Sequence, residues 1–405
     1  MRLISFSFYK SYFYFILVIG FDIANSYIRE FLDNIYTDHE HANLTFELIS
    51  IICFIIADLL AGFLVLYTYR SSKSEKVGEN KVKKKNKNPL EQELIFTDLS
   101  KRKNKYKLII LISILEFVSR FIDLIFFTIF EIKKVRNGEI AWLISFDFLS
   151  RIIFSHSILK LKIHRHHCLT IIITIFSLIF MSVSAFIAID DKDLRNWPCF
   201  ISLSLKFIIS SFEDVLNKYL FNEKFLLPHT LIFFRGIFNG IMFLIIIPII
   251  ILVKGFIENN ENLKIGLGPA NEDVDVNVIW KILLTILYTI IYFIRTFCVM
   301  KVIYIFTPQY VSFLNELFNL FILLRCRIKF KDNLFIIVGD SICMVFIILS
   351  TLIFNEILIL NFCGLNDHTK SEMKLKEKKE TDDLNISCDS DNSDVYTSFD
   401  SALSK

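Results

Sequence analysis

The chain has no Cys-x-x-Cys pair, no glycine-rich phosphate loop, no nucleophile elbow and no kinase signature. Its eight cysteines (Cys53, Cys168, Cys199, Cys298, Cys326, Cys343, Cys363 and Cys388) are scattered. Scattered thiols argue against a disulfide or metal framework and read as small apolar fillers. Nothing proposes covalent catalysis, so neither an enzyme nor a bound cofactor or metal is expected. No nucleic-acid partner is expected either. Strict alternation of apolar and polar residues is also missing, which excludes a membrane β-barrel.

What the chain does have is apolar residues in blocks. They make up 54% of 405 residues, 43 of them Phe, and the mean hydropathy is +0.52. Block after block has the length that crosses a ~30 Å hydrocarbon layer, about twenty residues. Spans are predicted near 8–28, 46–68, 107–130, 139–159, 168–189, 197–220, 229–254, 279–303, 307–325 and 333–360. The fold class is therefore an all-α polytopic membrane protein of about ten helices set in a lipid bilayer. The first block, interrupted by Lys10 and followed by no small-x-small site, reads as an uncleaved span and not as a signal peptide.

The loops set the orientation. "KVKKKNKN" and "SKRKNKYK" in 69–106, "KLKIHRHH" after the fourth span and "KSEMKLKEKKE" in the tail fall on one side. The acidic "DNIYTDHEHAN", "DDKDLRN" and "ENNENLKIGLGPANEDVDVN" fall on the other. The positive-inside rule puts both termini in the cytosol. "EIKKVRNGE" and "RIKFKD" break it locally. Trp142, Trp197 and Trp280 each open an even-numbered span, so all three lie at the same non-cytosolic interface.

Segment 69–106 reads as a disordered, solvated insert, and 361–405 as a disordered cytosolic tail. Ser387, Ser390 and Ser393 lie among acids and are candidate phosphorylation sites. Tyr396–Phe399, "YTSF", matches a Tyr-x-x-bulky signal for a sorting adaptor. His39 and His41, and His164, His166 and His167, are candidate metal ligands at membrane mouths. Neither spacing closes a geometry, so solvated loop histidines are the expectation. Asn43 opens a glycosylation sequon abutting the second span.

Two internal matches divide the chain. "DIANSYI" (Asp22 to Ile28) closes the first span and "DVLNKYL" (Asp214 to Leu220) the sixth. "FLSRIIFSHSILKLKIHRHHCLTII" (148–172) aligns without a gap to "FLNELFNLFILLRCRIKFKDNLFII" (313–337). Both map a span onto the one five further on. Five is odd, so the two units enter the membrane from opposite sides, as in secondary transporters. The units are 1–192 and 193–360.

A five-plus-five inverted repeat, with basic hairpins after the fourth and ninth helices, resembles the drug/metabolite transporter superfamily (EamA-like). "EDVLNKYLFNEKFLLPHTLIFFRGIFNGIMFLI" is most similar to the solute carrier 35 group of nucleotide-sugar transporters, its F-type members in particular. The resemblance covers 139–358 well and 1–138 poorly. The fifth span departs from it, with Ser177, Ser182 and Ser184 at places where glycines are usual, and the tenth keeps only Gly339. The resemblance implies secondary-active or facilitative transport of a small polar metabolite, in an endomembrane (Golgi, ER or lysosome/vacuole-like) more than at the cell surface. A non-transporting scaffold or receptor that reuses the fold is the alternative, and an oligomer is compatible with either.

Charges within spans usually face a bundle interior or a wet cavity. Asp147 and Arg151 can pair at i,i+4, and Arg151 aligns with Glu316. These three, with Asn315 and Asn319, are the candidate substrate-binding residues, and Arg151 is expected to face Glu316. Asp22, Asn25 and Tyr27 form one candidate gate. Asp214, Asn217, Lys218 and Tyr219 form the other, with Asp214 paired to Lys218. Glu116, Arg120 and Asp123 read as a neutralised structural cluster. Arg235, Arg295 and Lys301 add positive charge and favour an anionic or zwitterionic solute. Asp340 is a candidate coupling acid.

The topology makes a direct prediction. Tags fused at the two ends should be digested together by protease added to the cytosolic face of sealed vesicles. Protection of one tag alone would break the five-plus-five count.

Overall fold

The computed structural model describes residues 2–36, 44–78, 99–129, 145–188, 197–223, 226–258, 278–330 and 334–358. Ten helices fill them, and no strand occurs among the described residues. They are α1 (Arg2–Tyr36), α2 (Leu44–Gly78), α3 (Leu99–Ile129), α4 (Ser145–Ile158) and α5 (Arg165–Ala188). After these come α6 (Trp197–Glu223), α7 (Pro228–Glu258), α8 (Val278–Ile305), α9 (Gln309–Phe330) and α10 (Leu334–Phe354). Each coincides with one apolar block. Five of them, α2, α5, α7, α8 and α10, are long and apolar enough to cross a membrane. That is the pattern of an integral membrane protein. The helices that fall short include α3, α6 and α9, which carry interior charges.

Helix ends follow local chemistry. Pro198, Pro228 and Pro308 stand at the starts of α6, α7 and α9, where a missing N–H costs nothing. The α10 end is set by Glu356, which adopts the left-handed conformation (φ 56°). Ile357 N–H then reaches back to the Leu352 carbonyl at 3.0 Å, the six-to-one bond of a Schellman end. α2 runs on to Gly78 and α3 begins at Leu99, so both ends of the basic segment 69–106 are helical, contrary to the disordered-insert expectation. Lysine-rich sequence is a good helix former and continues a helix past its apolar part. The middle of that segment, the histidines 39 and 41, Asn43, Trp142 and the 361–405 tail with its serines and Tyr396–Phe399 lie outside the described residues.

Contacts fix the neighbours. α1 runs antiparallel to α8: Phe15 lies on Phe306 with ring centroids 5.1 Å apart, Asp22 meets Arg295, and Leu32 packs with Tyr288. α2 runs antiparallel to α7, α5 to α10, and α6 lies between α3 and α4. α8 also packs on α2, α7 on α3, and α9 on α1 and α10. The main apolar core gathers the α8–α9 end of the bundle, with Phe15, Ile112, Leu220, Ile232, Ile303 and Leu314 among its buried members.

The α2–α7 contact is a close approach. Gly236 lies against Asp58 and the Leu59 backbone, Gly240 against Ile55 and Gly62 against Phe233; Ala57 and Ala61, like Gly236 and Gly240, have the small-xxx-small spacing that lets membrane helices approach closely. A Cβ on Gly236 would stand 2.9 Å from the Asp58 Cβ and 3.0 Å from the α2 backbone. Gly236→Ala should therefore lower the melting temperature in detergent, by an overpacking cost of about 1–3 kcal/mol. Gly20→Ala, with nothing within 4 Å, should not. Equal effects at the two positions would remove the close-approach account.

Candidate functional site

The interior charges of the helices gather into groups around four arginines. A guanidinium in a bundle core needs both a counter-charge and acceptors for its five N–H donors. Each group solves this differently.

Arg151 on α4 is 1% exposed. Its Nε and Nη2 donate to Asp214 Oδ2 on α6, at 3.1 and 2.6 Å. Its Nη1 donates to Ser312 Oγ on α9 at 2.6 Å and to Asp147 one turn before it. Asp147 is held in turn by Ser211 Oγ at 2.6 Å and by the Asn315 amide at 3.2 Å. Two carboxylates and a hydroxyl thus take four hydrogen bonds from this guanidinium, with every nitrogen engaged.

Arg235 on α7 is equally enclosed. Its Nε lies 3.1 Å from Asp58 Oδ2 and 2.7 Å from Glu116 Oε2, and its Nη1 lies 3.1 Å from Glu213 Oε1. Asn239 donates to Glu116 at 2.7 Å. One arginine thus ties α2, α3, α6 and α7 together.

Arg120 and Arg295 differ. Arg120 touches Glu116 at 3.3 Å and Tyr292 Oη, using Nη2 for both. Its guanidinium lies over the Phe54 ring, 4.0 Å from the centroid, so aromatic stacking holds the plane in place. Arg295 uses Nε on Asp22. Their side chains are 24% and 29% exposed, and their other N–H groups make no hydrogen bond among the described residues.

The exposed parts of these side chains face one cavity of about 240 Å³. α3, α4, α6, α7, α8 and α9 all contribute to its wall. Its acids, Glu116, Glu213 and Asp214, are engaged by Arg235, Arg120 and Arg151. The spare donors of Arg120 and Arg295, beside the hydroxyls of Ser119, Ser210 and Thr296, remain for an occupant. Such a surface suits an anion.

The structure rearranges the sequence-based assignments. Arg151 takes Asp214, and not Glu316, as its partner across helices. Glu316 is fully buried near Asp147 and Arg151, and neither of its oxygens makes a hydrogen bond among the described residues. Asn315 lines the cavity; Asn319 is buried. Asp214 does not pair with Lys218, whose ammonium donates to the Tyr304 carbonyl at 2.9 Å. An i,i+4 partner lost to a cation on another helix explains both differences. Asn217 is fully buried, Tyr219 half-buried, and Tyr27 exposed on the other candidate gate. Asp22 binds Arg295, and Asn25 is half-buried with its amide oxygen unbonded. Lys301 lies beside the Phe297 and Tyr304 rings. Asp340 is buried on α10. The Asp123 side chain is outside the described residues.

His166 and His167 are buried and not solvated as expected. They pack under the α10 end, with His166 Nε2 3.7 Å from the Glu356 carboxylate. The three side chains sit close enough to suggest a metal. However, His167 Nδ1 accepts the His164 backbone N–H at 3.0 Å, so in the neutral ring Nε2 carries the proton and offers no lone pair.

Asp58 was missed from sequence. It is the acid in the apolar middle of α2, as Arg235 is the base within the apolar run of α7, and each stands beside a small residue, Ala57 and Gly236. Two unpaired opposite charges in separate apolar helices were the available signal. No protein-family model and no curated protein matches the chain.

Removing the centre of a buried ion cluster strands its partners. Arg235→Leu should destabilise the protein by about 3–5 kcal/mol, read as lost melting temperature and yield. Asp58→Asn should cost less, because Arg235 keeps Glu116 and Glu213. The opposite ranking would mean that Arg235 does not organise the cluster.

Proposed function

We propose that the chain is a carrier that moves a small anionic or zwitterionic solute across a membrane by alternating access. The observation that carries this reading is the polar cavity within the bundle, lined by two guanidinium groups that each use only one nitrogen among the described residues. A bundle that only had to be stable would fill that space, since buried ionic groups are a poor source of stability. The cavity volume falls below the roughly 300–1,000 Å³ of pockets for drug-sized ligands, which favours a small metabolite.

The helix pairing supports an inverted repeat. Advancing every label by five turns α1–α8 into α6–α3, α2–α8 into α7–α3, and α4–α6 into α9–α1. All of these pairs occur, and α2–α7 and α5–α10 turn into themselves. That is the behaviour expected of a two-fold axis relating helices 1–5 to 6–10. On this reading all ten helices span, the interior charges being tolerated because they are paired. Arg120 on α3 and Arg295 on α8 are then contributions of equivalent helices, one from each half. The resemblance to the drug/metabolite transporter superfamily agrees with this arrangement and adds nothing about the substrate.

Access follows from packing. The main core and the Lys218–Tyr304 bond lie between the cavity and the α8–α9 connection, which the loop charges assign to the cytosol. The described state is thus closed toward the cytosol, and rocking of the halves would open that end and close the other.

Counterflow into liposomes tests the reading, with radiolabelled phosphate, dicarboxylates, amino acids and sugar phosphates as probes. Uptake of an anionic or zwitterionic probe is expected. Well-folded protein that moves none of them would favour the scaffold alternative. Arg120→Lys and Arg295→Lys keep the charge but lose the flat donor fork. Each should raise the KM for the transported probe at least about tenfold, some 1.4 kcal/mol of binding, with little change in melting temperature. Unchanged KM in both would remove these arginines from the site.

A further inference from the structure

Among the described residues, Glu316 is the acid beside the Arg151 group that the ion clusters leave out. It is fully buried on α9, and both carboxyl oxygens lack a hydrogen-bond partner among the described residues. An isolated carboxylate in such a place would cost far more than any single interaction returns, and the group takes up a proton instead. The charged groups that act on it are Asp147 and Arg151, both on α4. Of the other helices against α9, α1 and α8 bring Asp22 and Arg295, which hold each other, and α10 brings Asp340, which has contacts of its own. Arg151 already carries two carboxylates, so a third ionised acid would leave the group with an excess of two negative charges.

The neighbours of Glu316 show how that could change. Ser312, one turn earlier, accepts from Arg151, and Asn315, the preceding residue, faces the cavity and holds Asp147. Arg151 belongs to the first half of the chain; Asp214 and Glu316 belong to the second. A shift of α4 against α6 and α9 moves the guanidinium between two carboxyl groups fixed on the same half.

The geometry points to Glu316 as a proton-exchange site: it is protonated while Arg151 is bound to Asp214, and it releases its proton to cavity water when Arg151 leaves Asp214 for it. The balance is simple. The Glu316 carboxyl O–H breaks, the proton passes through cavity water to Asp214, which lines the cavity and has lost its guanidinium, and the Glu316 carboxylate forms an ion pair with Arg151, so the net charge of the group is unchanged. No oxidant or co-reactant is required. Coupling of that proton to a solute rests on the carrier reading; the protonation itself does not.

Infrared spectroscopy of the purified full chain tests it without a substrate. At neutral pH the wild-type minus Glu316→Gln difference should contain the C=O stretch of a protonated carboxyl. Glu316→Gln breaks no hydrogen bond and should keep its melting temperature. The same band should disappear in Asp214→Asn, where Arg151 loses a carboxylate and recruits Glu316; Asp147→Asn serves the same purpose if Asp214→Asn does not fold. A difference spectrum without the band, or a band that persists in the Asp variant, overturns the proposal. In liposomes holding a pH dye, uptake of succinate or inorganic phosphate should shift the lumenal pH, and Glu316→Gln should abolish the shift. Uptake with no shift, or a shift that survives the substitution, removes the coupling. Failure of wild type to move either probe counts against the carrier reading for these anions and leaves the infrared result to decide the protonation.

Discussion

A guanidinium buried in an apolar bundle must be neutralised by the protein around it, and Arg235 meets that requirement with three acids from three other helices. Once that constraint is accepted, much of the architecture follows. Asp58 must sit opposite Arg235, so α2 and α7 must approach closely, so Gly62 and Gly236 must be small. Glu116 and Glu213 bring α3 and α6 to the same point. Arg151 repeats the device a short way off with Asp147 and Asp214. The two centres stitch helices from both halves of the chain without filling the space between them.

That space is where function enters. In two enclosed arginines every guanidinium nitrogen donates to the protein; in the other two only one nitrogen does so among the described residues. On the proposed reading, the first kind sets the frame and the second kind meets the occupant. The distinction is one of hydrogen-bond satisfaction, since all four carry the same charge. It also accounts for the proposed preference for anions although acids are plentiful around the cavity: the acids are engaged by the frame. The frame itself has a place to move. Besides Asp147 on its own helix, Arg151 has carboxyl groups on two other helices in its neighbourhood, Asp214 paired with it and Glu316 without a hydrogen-bond partner among the described residues.

Much of this was legible in the sequence, for physical reasons. Ten apolar blocks gave ten helices, because membrane-length runs have few other ways to satisfy their backbones. Asp147–Arg151 was legible as an i,i+4 pair. What failed was assignment across helices. Asp214 was matched with Lys218 on its own helix, but a guanidinium with five donors on α4 competes better than a single ammonium that finds the Tyr304 carbonyl. Glu316 was placed near Arg151 by the repeat alignment, and it is near; the alignment had no means of showing that Asp214 occupies the bonds first. Asp58 and Tyr292 escaped because each gains its meaning from a residue far along the chain. His166 and His167 looked solvated in "HRHH", yet the end of α10 covers them.

Motion between the halves is the claim on which the carrier account stands, and pulsed electron paramagnetic resonance measures it directly. In a cysteine-free background, one spin-label pair would join the α4–α5 connection at Lys162 to the α8–α9 connection at Thr307. A second pair would join the opposite ends at Phe31 and Ile201. The account predicts two distance populations for each pair, shifting in opposite directions as pH or a transported anion is varied. Single distributions that hold under every condition would contradict it.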